Sequence, residues 1–190
     1  YVIMKKFLFM AIMMMFITLS SIAQEVKFHF NSNFKFVTDD EKEFVVIPMD
    51  GYSQDSLFRA VSSYLDRKYT SKTNEITKFG NEQVTLSAFI TDAYYEKVMG
   101  LPLRKHMICT YSFNFKDGKF RVNAPVVNKV ITGAPTELPH SFAGDCSNYF
   151  KNGKLNPKKE RLYNAINDRI NYILNDILKS SFAKSESDEW

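Results

Sequence analysis

The sequence predicts an α+β domain in which one antiparallel sheet carries two helices packed on one face. Three observations lead there. Residues 105–127 spell a β-hairpin whose apolar side chains share one face, two stretches place apolar residues at helical spacing, and the remaining apolar runs alternate with a period of two. An antiparallel sheet with one apolar and one polar face is covered on one side and open on the other.

The hairpin fixes the faces. Asp117-Gly118 between Lys116 and Lys119 reads as a two-residue type I′ turn, which needs positive φ at both central positions. That loop sets Phe115 opposite Phe120, Phe113 opposite Val122, Tyr111 opposite Ala124 and Cys109 opposite Val126, all on the covered face. The open face then carries His106, Ile108, Thr110, Ser112 and Asn114 on the first strand and Arg121, Asn123, Pro125 and Val127 on the second. A one-residue slip would exchange the two sets, so the pattern pins the register.

The chain opens with Lys5 and Lys6, an apolar run over 7–19, and Ser20-Ser21-Ile22-Ala23, with small residues where a signal peptidase reads. Residues 1–23 are therefore expected to be a signal peptide cleaved after Ala23, with residues 1–3 an upstream artefact before Met4. The run falls short of the roughly 20 residues that span a bilayer, so no stable span is expected after cleavage. The expected location is periplasmic or extracellular. Residues 24–182 suffice for one domain, and 183–190 form a polar tail. Loss of Lys5 and Lys6 lowers the formal charge from +4 to +2, too little for a dedicated nucleic-acid binder.

Taken in order, Val26, Phe28 and Phe30 alternate with polar residues, and Phe34 and Phe36 continue the rhythm, as a strand pair or an edge strand. Asp39, Asp40 and Glu41 lack the spaced oxygen ligands and turn glycine of a calcium loop and read as a solvated turn. Residues 44–47 form a strand that Pro48 closes. Ser53 or Asp55 caps a helix running to about Tyr69, with Leu57, Val61, Tyr64 and Leu65 as its buried stripe. Strands follow at 75–79 and 83–90 around Gly80-Asn81, and 92–104 either extends the second strand or makes a short helical excursion ended by Pro102.

After the hairpin, 126–131 prolongs the last strand, and 132–156 is the least regular segment, holding His140, Asp145 and Cys146. Asn156-Pro157 opens the closing helix, with asparagine as cap and proline in the first turn. Its buried stripe is Leu162, Ile166, Ile170, Ile173 and Ile177, while Asn164, Asn167, Asn171 and Asn175 read as a solvated face. Two readings stand for Cys109 and Cys146. They form a disulfide closing nearly forty residues, worth about 3–4 kcal/mol on the chain-entropy view, or they are buried thiols.

The Val45-Val46-Ile47-Pro48 strand end, the helix with Leu57 and Tyr64-Leu65, the Phe115-Lys116-Asp117-Gly118-Lys119-Phe120-Arg121 hairpin and the closing helix resemble a family of uncharacterised secreted bacterial domains of unknown function. The resemblance covers about 34–182 and implies a TATA-binding-protein-like (TBP-like) fold, an antiparallel sheet curved around two helices. It implies no activity, and the segments 92–104 and 132–156 are longer than the family pattern.

No nucleophile elbow, phosphate-cradling glycine loop, zinc helix or Cys-x-x-Cys pair occurs. The expectation is a non-catalytic binding domain of the periplasm or cell envelope, without cofactor or metal. It would use Thr110, Ser112, Asn114, Arg121 and Asn123 on the open face to meet an envelope protein or a small ligand. Arg121 leads, because its planar fork suits a carboxylate or phosphate. The alternatives are an assembly subunit of an envelope complex, pairing through an open face or edge, and an unrecognised hydrolase.

Overall fold

The computed structural model describes residues 25–133 and 138–183. The signal-peptide reading and all of the tail beyond Ala183 lie outside the described residues. The elements are β1 (His29–Phe30), β2 (Phe36–Val37), β3 (Phe44–Pro48), α1 (Gln54–Lys68), β4 (Glu75–Phe79), β5 (Gln83–Val98), β6 (Leu101–Lys116), β7 (Lys119–Asn123), β8 (Val126–Thr132), β9 (Pro139–His140), α2 (Phe142–Asp145), β10 (Phe150–Lys151), β11 (Lys154–Leu155) and α3 (Glu160–Phe182). The main sheet is antiparallel in the order β3-β7-β6-β5-β4, and β8 follows β7 along the same edge of β6.

Helices α1 and α3 lie together on one face. Leu57, Val61 and Leu65 of α1 and Ile166, Ile170, Leu174 and Ile177 of α3 are buried with Leu86, Tyr111, Phe113, Phe115 and Val122 of the sheet. Tyr64 ties the helices by donating to Asp176 at 2.6 Å. Ser53 caps α1 through Ser56 N–H, and Asn156 caps a 3-10 turn at Pro157–Lys159 that runs on into α3.

The hairpin register is as predicted at Phe115–Phe120 and Phe113–Val122, and it fails beyond. One extra residue enters at 123–125 and another at Asn128, so Cys109 faces Val127 and Thr110 faces Val126. Each such bulge reverses which side a strand residue takes. Pro125 and Val127, expected on the open face, are buried, and Val126, expected inside, is exposed. Pro125 has no N–H to give a ladder, which is why the break falls there.

The turn also differs from expectation. Gly118 has φ 72° but Asp117 is not in the left-handed region, so the turn is not type I′. Tertiary bonds override the local preference. Asp117 Oδ1 accepts from Gln54 N–H at 2.7 Å, Gly118 N–H donates to Tyr52 O at 2.9 Å, and Met49 N–H donates to Gly118 O at 2.8 Å. The paired positive φ angles fall instead on Met99 (50°) and Gly100 (83°), where β5 turns into β6. Residues 92–98 extend β5, which settles the two readings of 92–104 in favour of strand.

Of the four asparagines expected on a solvated face of α3, Asn164 is exposed and the other three are not free to meet solvent. Asn167 and Asn175 are buried, and with Asn171 they hold the N-terminal segment. Oδ1 of Asn175, Asn171 and Asn167 accepts from the N–H of Val26 (3.0 Å), Phe28 (2.9 Å) and Phe30 (3.2 Å). Nδ2 of Asn175 and Asn171 donates to the carbonyls of Val26 and Phe28, both at 2.8 Å. Four helical residues rise about 6.0 Å and two strand residues about 6.7 Å, so the pitches nearly match. The carboxamides thus stand in for a neighbouring strand, while Val26, Phe28 and Phe30 enter the core. Phe30 anchors an aromatic cluster with Phe36, Phe142, Tyr149, Phe150 and Tyr163.

Candidate functional site

Thr110, Ser112, Asn114, Arg121 and Asn123 all lie on the uncovered face, as the hairpin pattern predicts. The registers align them in rungs across the sheet. One rung runs Val46–Arg121–Asn114–Gln83–Phe79, and the next includes Phe44 beside Asn123, then Ser112, Thr85 and Thr77. Phe44, Val46 and Phe79 are exposed, so apolar side chains flank a polar centre. Gln83 and Thr85 were legible from the alternation of β5. Phe44 and Val46 carried no such signal, because β3 is apolar at every position and only the edge placement exposes alternate residues.

The centre is a connected hydrogen-bond network. Asn123 Nδ2 donates to Asn114 Oδ1 at 2.8 Å, Asn114 Nδ2 to Gln83 Oε1 at 3.2 Å, and Gln83 Nε2 to Thr85 Oγ1 at 3.2 Å. Thr85 and Ser112 hydroxyls bond at 3.0 Å, and Thr110 donates to Asn128 at 2.8 Å. Arg121 donates to Asn114 Oδ1 at 3.2 Å and sits 5.4 Å from the Phe44 ring centroid. That fixes the guanidinium while using one of its five donors. Among the described residues, no carboxylate comes within 4.0 Å of it. Beside it a shallow depression of about 610 Å³ is lined by Phe44, Val46, Lys116, Lys119, Arg121 and Glu82, among others.

A second polar cluster lies at the base of the β5–β6 hairpin and is buried. Lys105 Nζ donates to Asp145 at 2.5 Å and lies 3.8 Å from Glu96, Tyr94 also donates to Asp145, and Lys159 Nζ meets Glu96 at 2.7 Å. This clamp joins the sheet to α2 and α3. Neighbouring His106, expected on the open face, is buried in the β5 bulge. Its Nδ1 accepts from Asp92 N–H at 3.0 Å, so Nε2 carries the proton toward Gly133 O at 2.9 Å. The ring is a structural bond-maker there.

Cys109 and Cys146 are free, buried thiols, the second of the two readings. They belong to β6 and the end of α2, and apolar burial suffices to keep each. Burial pushes the Cys109 thiol up to about 12 and raises that of Cys146, with Asp145 adding to the shift. Such thiols are the reverse of activated nucleophiles. His140 is exposed on β9, and no group of three or more metal-ligating side chains gathers among the described residues.

These elements define a class: an α+β domain of TBP-like fold, its antiparallel sheet covered, among the described residues, by helices on one face. No protein-family model matches the chain, and neither does any curated protein. Solved structures do. A TBP-like protein from Parabacteroides distasonis superposes with TM-score 0.52 at 11% identity, over 73% of this chain and 90% of its own. A DUF4468 family protein from Bacteroides ovatus superposes with TM-score 0.53 at 12% identity, over 90% of this chain and 95% of its own. At such identities the likeness establishes the fold, which is the one the sequence resemblance implied.

Proposed function

We propose that this chain is an exported, non-catalytic binding domain of the bacterial cell envelope that takes an anionic group of a partner protein beside Arg121. The observation that carries the reading is a guanidinium held by Asn114 and Phe44 with no acidic partner among the described residues. Donors on a rigid sheet are set before the partner arrives, which lowers the ordering cost of binding. Lys116 and Lys119 add positive charge at the same depression, and Phe44 and Val46 supply apolar contact. Function follows from this site and not from the fold, so the TBP-like architecture carries no implication of DNA binding.

Edge pairing as an assembly route has less support. Glu43 O and Met49 N–H bond toward β7, which turns the amide positions of Phe44, Val46 and Pro48 outward. Pro48 has no N–H, so the edge offers two donors.

The test is photocrosslinking in the native host with a photoreactive residue at Val46 and a control at exposed Tyr172 on α3. A discrete adduct from Val46 alone, lost with Arg121→Ala, is expected. Equal labelling from both positions, or an adduct indifferent to Arg121→Ala, overturns the reading.

A further inference from the structure

Beyond the bulge at 91–93, the β5–β6 hairpin leaves the sheet. β4 pairs β5 only from Gln83 to Ser87, and β8 pairs β6 only as far as Lys105. Residues 95–104 therefore form a two-stranded arm, paired from Tyr95–Arg104 to Val98–Leu101, with no strand on either outer edge among the described residues. Its base is immobilised by the Lys105–Asp145–Glu96–Lys159 clamp.

The chemistry of the arm changes along its length. At the crown, Val98, Leu101 and Met99 are 46%, 72% and 99% exposed. Met99 holds φ 50°, a conformation that asparagine or glycine adopts more readily, so the turn presents a large apolar residue where local preference disfavours one. Just below the crown is a collar of exposed Tyr95, Lys97 and Arg104. Glu96, the one acid in 95–104, is engaged by Lys105 and Lys159. Arg104, 65% exposed, lies 3.9 Å from Asp92, and Lys97 meets no carboxylate among the described residues, so the exposed charge of the collar is cationic.

We propose that the tip of this arm docks on an anionic membrane surface, Val98, Met99 and Leu101 entering the interface and Lys97 and Arg104 meeting the headgroups. The crown is convex, so a protein partner would have to supply a pocket around it, whereas a bilayer needs only apolar depth and negative charge. Apolar tip, aromatic and cationic collar, then polar base is the order of a membrane interface from inside to outside. The unpaired peptide groups along both arm edges cannot enter hydrocarbon, so insertion stops at the crown. This contact is separate from the Arg121 site.

The test uses the full chain with an environment-sensitive fluorophore on Met99→Cys. Cys109 and Cys146 are fully buried and leave the introduced thiol as the labelling site. A second probe on Lys116→Cys reports adsorption through the face that carries Arg121. Vesicles of phosphatidylethanolamine with phosphatidylglycerol are expected to blue-shift the Met99→Cys probe and expose it to quenching by spin-labelled lipid, leaving the Lys116→Cys probe unchanged. Val98→Asp with Leu101→Asp weakens partitioning by about tenfold or more, and Lys97→Glu with Arg104→Glu removes the preference over phosphatidylcholine vesicles. An unshifted tip probe, equal shifts at both positions, or a shift that appears only with a protein fraction overturns the proposal, the last by assigning the tip to a protein pocket.

Discussion

Asn175 shows how far a single residue type can be misread. At helical spacing with Asn171 and Asn167 it matches a solvated stripe, yet each carboxamide replaces a peptide group beside the segment at 26–30. Both halves of the arrangement are visible in the chain, the alternating Val26, Phe28 and Phe30 and the four-residue asparagine step. Their pairing across 149 residues is not, because no local rule connects them. Asn175→Ala strands a buried N–H and carbonyl on Val26 and is expected to cost about 2–4 kcal/mol in urea unfolding. Asn171→Asp still accepts from Phe28 N–H but sets a carboxylate oxygen against Phe28 O, so it is expected to cost at least as much as Asn171→Ala.

The buried thiols and phenols make a pH prediction. Burial raises the Cys109 thiol from its ordinary 9.0 to about 12 and raises Cys146, Tyr94, Tyr111 and Tyr149 as well. Above the ordinary range the unfolded chain loses these protons while the folded chain keeps them. Stability is therefore full below about pH 9 and falls as pH rises, by up to about 1.4 kcal/mol per pH unit for each group. Melting temperatures measured from pH 7 to 11 check this, and a flat profile above pH 9 contradicts it. In the native state both thiols should resist alkylation, reacting only after denaturation.

Among the elements, the hairpin at β6–β7 was legible because its alternation is clean, and its continuation was not, because the inserted residues at 123–125 and 128 leave no mark in an apolar–polar pattern. Asp117 serves two elements, closing the turn and accepting from Gln54 N–H at the start of α1. Asp117→Gly preserves a turn-compatible residue but removes that cap, for an expected loss of about 1 kcal/mol. The clamp between the sheet, α2 and α3 is more costly to break. Asp145→Ala leaves Lys105 buried beside Glu96 alone and is expected to lower stability by about 3–5 kcal/mol, measured as a shift of the urea midpoint. Nothing in a sequence brings Lys105 to Asp145, since the intervening β7 and β8 must first fold back along β6.

For the molecule as a whole, fold class and open face were readable from periodicity, since one polar and one apolar sheet side leave few arrangements. The five polar residues named on that face do lie together, and Arg121 acquires its position from Phe44, a residue whose exposure depends on β3 being an edge strand. The N-terminal segment belongs to the core as fully as the helices do. Removing residues 24–30 takes Val26, Phe28 and Phe30 out of the packed interior and strips the asparagines of α3 of their partners. Such a truncation is expected to abolish the cooperative unfolding transition and the near-ultraviolet circular dichroism of the aromatic cluster.

The same ladder gives the domain a compass. Val26 is tied to Asn175, toward the C-terminal end of α3, whereas the arm is braced through Glu96 against Lys159, where that helix begins. These poles are separated by on the order of 24 Å of helix. Val26 is thus held beside one pole, and the strand pair that ends at Met99 is braced beside the other. A pull applied at Val26 would load the far end of α3 first and reach the arm only through the length of that helix.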